Sequence, residues 1–290
     1  HNHIYDNHEE TDTLKPLLLQ NGSLIATGYA FIRPDPLTPI VDPISFEVLP
    51  LKNKISFSND NGENWTIPNS FSVLEKPLEL SGPCIQLSSG RILGACPPFH
   101  LGENGHSGWI IYSDDNGKTW SKLSEFFNTP KGEIAAWECR LCEIDNNGVA
   151  VIFWTYDNVK KINLNNHIVY SHDGGESFDS AIDTGVRAQA SNLMWLDKNI
   201  ILTIHSHREF PTGLIIRKVN IENNKFEILE ELDLFKDENM SSDSTNISKQ
   251  FGSLKFGQPS LVRLKNNEIL ATCWCYENNQ HVIKSFIVSK

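Results

Sequence analysis

Five segments of the chain repeat one pattern: an apolar run, a short polar turn, and a second apolar run. They span residues 16–27, 83–94, 138–152, 191–203 and 259–272. The turns read Asn21-Gly22, Ser89-Gly90, Asn147-Gly148, Asp197-Lys198-Asn199 and Asn266-Asn267. Such pairs tolerate the backbone angles of tight turns, so each segment predicts an antiparallel hairpin. Helical periodicity is nearly absent. Residues 222–235 carry a weak helical alternative, but Phe226 and Ile228 in a β-branched context favour a strand.

An octet follows each of the first three segments. Ser58 to Trp65, Ser113 to Trp120 and Ser171 to Phe178 share the form S-x-D-x-G-x-x-aromatic, with their aspartates 55 and 58 residues apart. A motif at a near-constant period indicates a repeat architecture. The octet's physics is local: Asp accepts from backbone N–H groups just ahead, Gly takes positive φ, and the aromatic folds back over the turn. It therefore joins a second pair of strands. The fourth unit has a plain second hairpin, 213–221 and 225–234, and the fifth closes with 281–288. Four-stranded antiparallel units about an axis make an all-β propeller, five- or six-bladed, in a single domain over 1–290.

Three insertions interrupt the rhythm. Residues 31–51 are proline-rich, and 99–107 hold His100 and His106. Residues 236–255 are polar and read as a mobile loop. The first two are expected at the propeller mouth.

Composition narrows the function. A net charge of −11 argues against nucleic acid or an anionic membrane as partner. No apolar run is long enough for a transmembrane helix. Cys84, Cys96, Cys139, Cys142, Cys273 and Cys275 lie in apolar strand-like contexts without zinc-site spacing, so free buried thiols and a cytoplasmic location are expected. No signal-peptide pattern opens the chain, although residue 1 is His. No metal or cofactor is called for, and the sequence does not give the oligomeric state. Arg91, in a Ser-Gly-Arg turn, is expected in solvent.

With three such octets in propeller units, the sequence resembles the sialidase superfamily, whose octets are called Asp boxes. The resemblance implies a site at the tunnel mouth. It matches Glu138 in Trp137-Glu138-Cys139-Arg140 to the glutamate that activates the family's tyrosine nucleophile. Gln258 in Gly257-Gln258-Pro259-Ser260-Leu261 stands where that tyrosine is found, and Leu14 stands where the first arginine is found. Arg33 with Asp35 or Asp42 corresponds to the arginine and aspartate that follow. A tyrosyl–sugar intermediate and a three-arginine clamp are therefore not expected.

Candidate residues are the polar groups at the ends of strands that should be apolar. Glu138 and Arg140, two apart on a strand, can share a face, with a tunnel-lining ion pair as the alternative. Gln189 and Gln258 open the fourth and fifth inner strands. His207 and Arg208 enter a mouth loop, whereas His205 reads as packed. Glu277 with Trp274 and Tyr276 places a carboxylate beside rings that can stack on a sugar. Arg33 and Asp35 sit in the proline-rich insertion. Glu138, Glu277, His207 and Asp35 are the candidate catalytic groups; Arg140, Arg208, Gln189, Gln258, Arg33, Trp274 and Tyr276 are the candidate binding groups. The expected function is a sialidase-like exo-glycosidase acting on an acidic or polar carbohydrate. A non-catalytic glycan-binding propeller is the alternative, followed by a polysaccharide lyase using His207 or Tyr276.

Overall fold

The computed structural model describes residues 10–35, 37–42, 44–45, 47–145, 147–209, 211–242 and 247–289. It is a five-bladed β-propeller of antiparallel sheets. Blade one contains β1 (Glu10–Leu18), β2 (Leu24–Ile32), β3 (Leu51–Ser58) and β4 (Asn69–Phe71). Blade two contains β5 (Ile85–Gln86), β6 (Ile92–Cys96), β7 (Ser107–Ser113) and β8 (Ser121–Asn128). Blade three contains β9 (Ile134–Ile144), β10 (Gly148–Asp157), a short β11 (Ile162–Asn163), β12 (His167–Ser171) and β13 (Ile182–Asp183). Blade four contains β14 (Ser191–Asp197), β15 (Ile200–His207), β16 (Gly213–Asn220) and β17 (Glu227–Lys236). Blade five contains β18 (Phe256–Arg263), β19 (Ile269–Glu277) and β20 (Gln280–Val288). The last blade thus has three strands among the described residues, where the repeat led to four. No described helix is long and apolar enough to cross a membrane.

The second strands of blades two, three and four are sandwiched between neighbouring blades, so both of their faces are apolar. β10 is the clearest case, with every residue buried. Its Val151 and Phe153 pack on Leu93 and Ile110 of blade two. Its Ala150 and Ile152 pack on Leu193 and Ile201 of blade four. Similar clusters join Ile25 and Ile55 to Ile92 and Ile111, and Leu202 and Ile204 to Leu261 and Cys273. All six cysteines are free thiols.

The octets close the hairpins opposite the mouth. In each, the serine hydroxyl donates to the aspartate and accepts from the glycine N–H, as in Ser113 Oγ to Asp115 Oδ1 at 2.8 Å and Gly117 N to Ser113 Oγ at 2.9 Å. Asn116 and Gly117 both have positive φ, 60° and 89°, which explains the glycine. The Trp120 indole then donates to the Gly117 carbonyl at 2.9 Å. Arg91 is not free in solvent: it pairs with Asp114 and Glu176 and lies over the Tyr112 ring.

Burial acts to raise the Asp115 pKa, but bonds from the Thr119 hydroxyl and N–H and from Ser113 outweigh it and bring it to about 2. A depressed folded value stabilises the fold above the unfolded value of 3.8, and that stability is lost as pH falls through about 2. The wild-type melting temperature should therefore fall between pH 4 and 2. Asp115→Asn should melt lower at pH 7 and show a shallower acid dependence, as read by circular dichroism.

Candidate functional site

The first strands of the blades surround the axis, and two of them are deformed there. The β9–β10 register slips between Ile152 and Trp154, leaving Glu138-Cys139 unpaired. The β18–β19 register slips between Gly257 and Ser260, leaving Gln258-Pro259 unpaired. In each bulge a non-glycine residue takes positive φ, 51° at Glu138 and 49° at Gln258. Such conformations cost about 1–3 kcal/mol each and cluster at functional sites.

The two bulged side chains meet at the axis. Gln258 Nε2 donates to Glu138 Oε2 at 2.7 Å. Arg140 Nη2 donates to the same carboxylate oxygen at 3.1 Å and to the Gln258 amide oxygen. Its Nη1 donates to Ser81 Oγ at 3.2 Å and Cys139 O at 2.8 Å. Arg140 is thereby fully engaged, and it links blades two, three and five.

The sequence reading missed the group facing this triangle, Glu79. It is 5% exposed. Its Oε1 accepts from the Glu138 N–H at 3.3 Å, while its Oε2 has no hydrogen-bond partner among the described residues. Burial, and then the nearby Glu138 carboxylate, push its pKa well above the carboxylate range; the Glu138 N–H, Arg140 and Lys15 oppose this. Burial therefore favours the neutral form of Glu79, beside a carboxylate that is paired with Arg140. Lys15, also missed, donates to Thr13 O at 2.8 Å and Leu80 O at 3.4 Å. Burial and then Arg140 lower its pKa to about 8, against the pull of Glu138 and Glu79. Tyr29 stands beneath the Lys15 ammonium, and burial and then Glu79 and Glu138 raise its phenol pKa, disfavouring a phenolate.

A cavity of about 560 Å³ opens over these groups. Glu79 and Glu138 line it together with Tyr29, Phe31, Phe99, Trp137 and Trp154, and Arg33 stands in its wall. In the 236–255 insertion, expected as a mobile loop, residues 243–246 lie outside the described ones, and the described parts include a 3-10 turn (Glu238–Met240) and a short helix, α1 (Ile247–Gly252). These parts are tied down where Ser242 N donates to Arg208 O at 2.9 Å, and where Asn163 donates to the buried Gln250. Gly252 and Leu254 complete the cavity wall.

Arg208 and Gln189 lie buried behind the triangle. Arg208 Nε donates to Phe256 O at 2.8 Å and Nη1 to Gln189 Oε1 at 3.0 Å. Burial lowers the guanidinium's pKa to about 10, with Glu138 opposing. Its Nη2 lies against Gly257, where an added Cβ would sit 1.7 Å from that nitrogen. Gly257→Ala should therefore expel Arg208 and cost about 1–3 kcal/mol, measurable by urea unfolding.

The remaining sequence candidates point elsewhere. His207 Nε2 bonds to Arg217 at 3.2 Å on β16, and burial and then Arg217 lower its pKa to about 4. Glu277 pairs with Lys284 across the β19–β20 hairpin, and Trp274 and Tyr276 flank His281. Asp35 is exposed and closes its own turn by accepting from Thr38 and Leu37. Asp42 closes a similar turn, accepting from Ile44 and Ser45. These residues lie at strand ends and in the insertion, but none of their bonds or ring contacts joins the axis group. Among the described residues no group of three or more His, Cys, Asp or Glu could hold a metal.

Fold and octets together define a five-bladed β-propeller carrying Asp boxes. The BNR/Asp-box repeat model matches residues 111–122. No curated protein matches the chain by sequence. Among solved structures, a protein of unknown function from Dyadobacter fermentans DSM 18053 is similar at 20% identity and TM-score 0.74, covering 98% of this chain and 78% of its own. The NanB sialidase of Streptococcus pneumoniae is similar at 18% identity and TM-score 0.56, over 96% of this chain. The chain spans only 41% of that sialidase. An α-L-arabinofuranosidase of Fusarium graminearum, solved with arabinobiose, is similar at 15% identity and TM-score 0.62, over 96% of this chain and 82% of its own.

Proposed function

We propose that the protein is a glycoside hydrolase that removes a terminal neutral sugar, with Glu79 as proton donor and Glu138 as the second carboxylate. The observation that carries this is Glu79: a buried carboxyl with one unpartnered oxygen, its pKa raised by burial, lining the same cavity as an ion-paired carboxylate. Glycoside hydrolysis needs such a pair, one carboxyl kept neutral to protonate the leaving oxygen and one kept charged. Glu79 donates to the glycosidic oxygen as the bond to the anomeric carbon breaks. Glu138 stabilises the developing positive charge and takes a proton from the water that attacks the anomeric carbon.

The neutral-sugar reading rests on the cations. Arg140, Arg208 and Lys15 each donate to protein acceptors, and Arg33 is not free either. A carboxylate ligand would have to displace one of these bonds. The aromatic walls suit stacking on an uncharged ring face. The similar arabinofuranosidase and sialidase act on a neutral and an acidic sugar, so a direct comparison separates the two classes.

The test is a panel of aryl glycosides that includes α-L-arabinofuranosides, neutral pyranosides and a sialoside. The expected result is turnover of a neutral glycoside and none of the sialoside. Sialoside preference would overturn the substrate class. Binding without turnover across the panel would instead favour a glycan-binding propeller.

A further inference from the structure

A second cleft, of about 630 Å³, adjoins the first on the mouth face. The two share Phe99, which lines both. They also share a partition. The insertion's hairpin is held by the Val41–Val48 bridge and by Leu49 N donating to Ile40 O at 2.9 Å. Residues 39–41 line the first cavity and residues 48–50 the second.

The lining of this second cleft is mixed. Phe71, fixed by stacking on Trp120 at 5.4 Å, and Phe99 offer apolar surfaces, while Lys52, Ser72, Glu75 and Lys76 offer donors and acceptors. Rings beside hydrogen-bonding groups are the chemistry that recognises carbohydrate. The rim is also strained. Leu74 and Glu75 follow one another at φ 50° and 54°, in a turn closed by Lys76 N to Val73 O at 3.1 Å. Leu74 is 65% exposed, so its own packing does not compensate for that conformation. Strain of this kind is kept where the surrounding structure uses it.

We propose that this cleft holds the leaving-group side of the same glycan, two or more neutral sugar units beyond the bond that is cut. The chain crosses Phe99, whose ring serves both compartments. This inference rests on the glycosidase reading, and the test keeps the two separable.

The probes are neutral arabino-, xylo- and gluco-oligosaccharides of two to five units, titrated calorimetrically into Glu79→Gln protein so that no turnover intervenes. The expected result is at least a tenfold gain in affinity from disaccharide to tetrasaccharide. Ser72→Trp, which fills the cleft from an exposed position, and Lys76→Glu should each remove that gain. Disaccharide binding with no gain on lengthening overturns the second site alone, as does a gain that survives both substitutions. Failure of every probe to bind overturns the glycosidase reading and the second site with it.

Discussion

Glu79→Gln should lower kcat on alkyl glycosides and oligosaccharides by about 10²–10⁴-fold, the usual contribution of a positioned general acid. The loss should be much smaller on substrates with acidic phenol leaving groups, because those depart without protonation. Stability should move the other way. The folded Glu79 pKa lies well above the ordinary 4.5. Such a group is no burden below about pH 4.5, but the fold loses stability as pH rises, because the unfolded chain ionises more readily. The glutamine, which never ionises, should therefore raise the melting temperature at pH 7 to 8, and the gain should shrink towards pH 4. A variant that is fully active on alkyl glycosides, or less stable than wild type at pH 8, would remove Glu79 from the acid role.

Arg140→Met should be the most destabilising substitution at the mouth. Arg140 bridges Glu138, Gln258, Ser81 and the Cys139 carbonyl, and its side chain is only 4% exposed. Removing it leaves the Glu138 carboxylate buried without a cation, which typically costs about 3–5 kcal/mol. With Glu138 still partly open to the cavity, the lower end is expected, a drop in melting temperature of roughly 5–10 °C. Combining it with Glu138→Gln should recover part of the loss, because the orphaned charge is then gone. A loss below about 1 kcal/mol for the single variant would mean the ion pair is not what holds the mouth together.

The fold was legible because its signals are local. Apolar runs, Asn-Gly turns and octets each act within about ten residues, and together they marked the blades. The site was legible only in part. Glu138, Arg140 and Gln258 came from the expectation that polar residues on inner strands face the axis. The bulges that aim Glu138 and Gln258 use non-glycine residues at positive φ, which leaves no mark in composition. Glu79 was missed because residues 78–84 precede a first strand of only two residues and lack alternation. The local pattern Leu78-Glu79-Leu80-Ser81 does parallel Trp137-Glu138-Cys139-Arg140, and it was the available signal. His207 and Glu277 illustrate the opposite limit. Position at a strand end is readable, but which neighbour a side chain meets depends on pairing, here with Arg217 and Lys284.

General-acid catalysis by Glu79 requires its carboxyl to hold a proton near neutral pH. Carbon-13 labelling of the glutamate carboxyls, with Glu79→Gln to assign the resonance, follows its titration by NMR. The expected result is a Glu79 carboxyl that titrates well above the ordinary 4.5. A Glu79 that ionises at or below the ordinary 4.5 would contradict the acid–carboxylate pair and the glycosidase reading built on it.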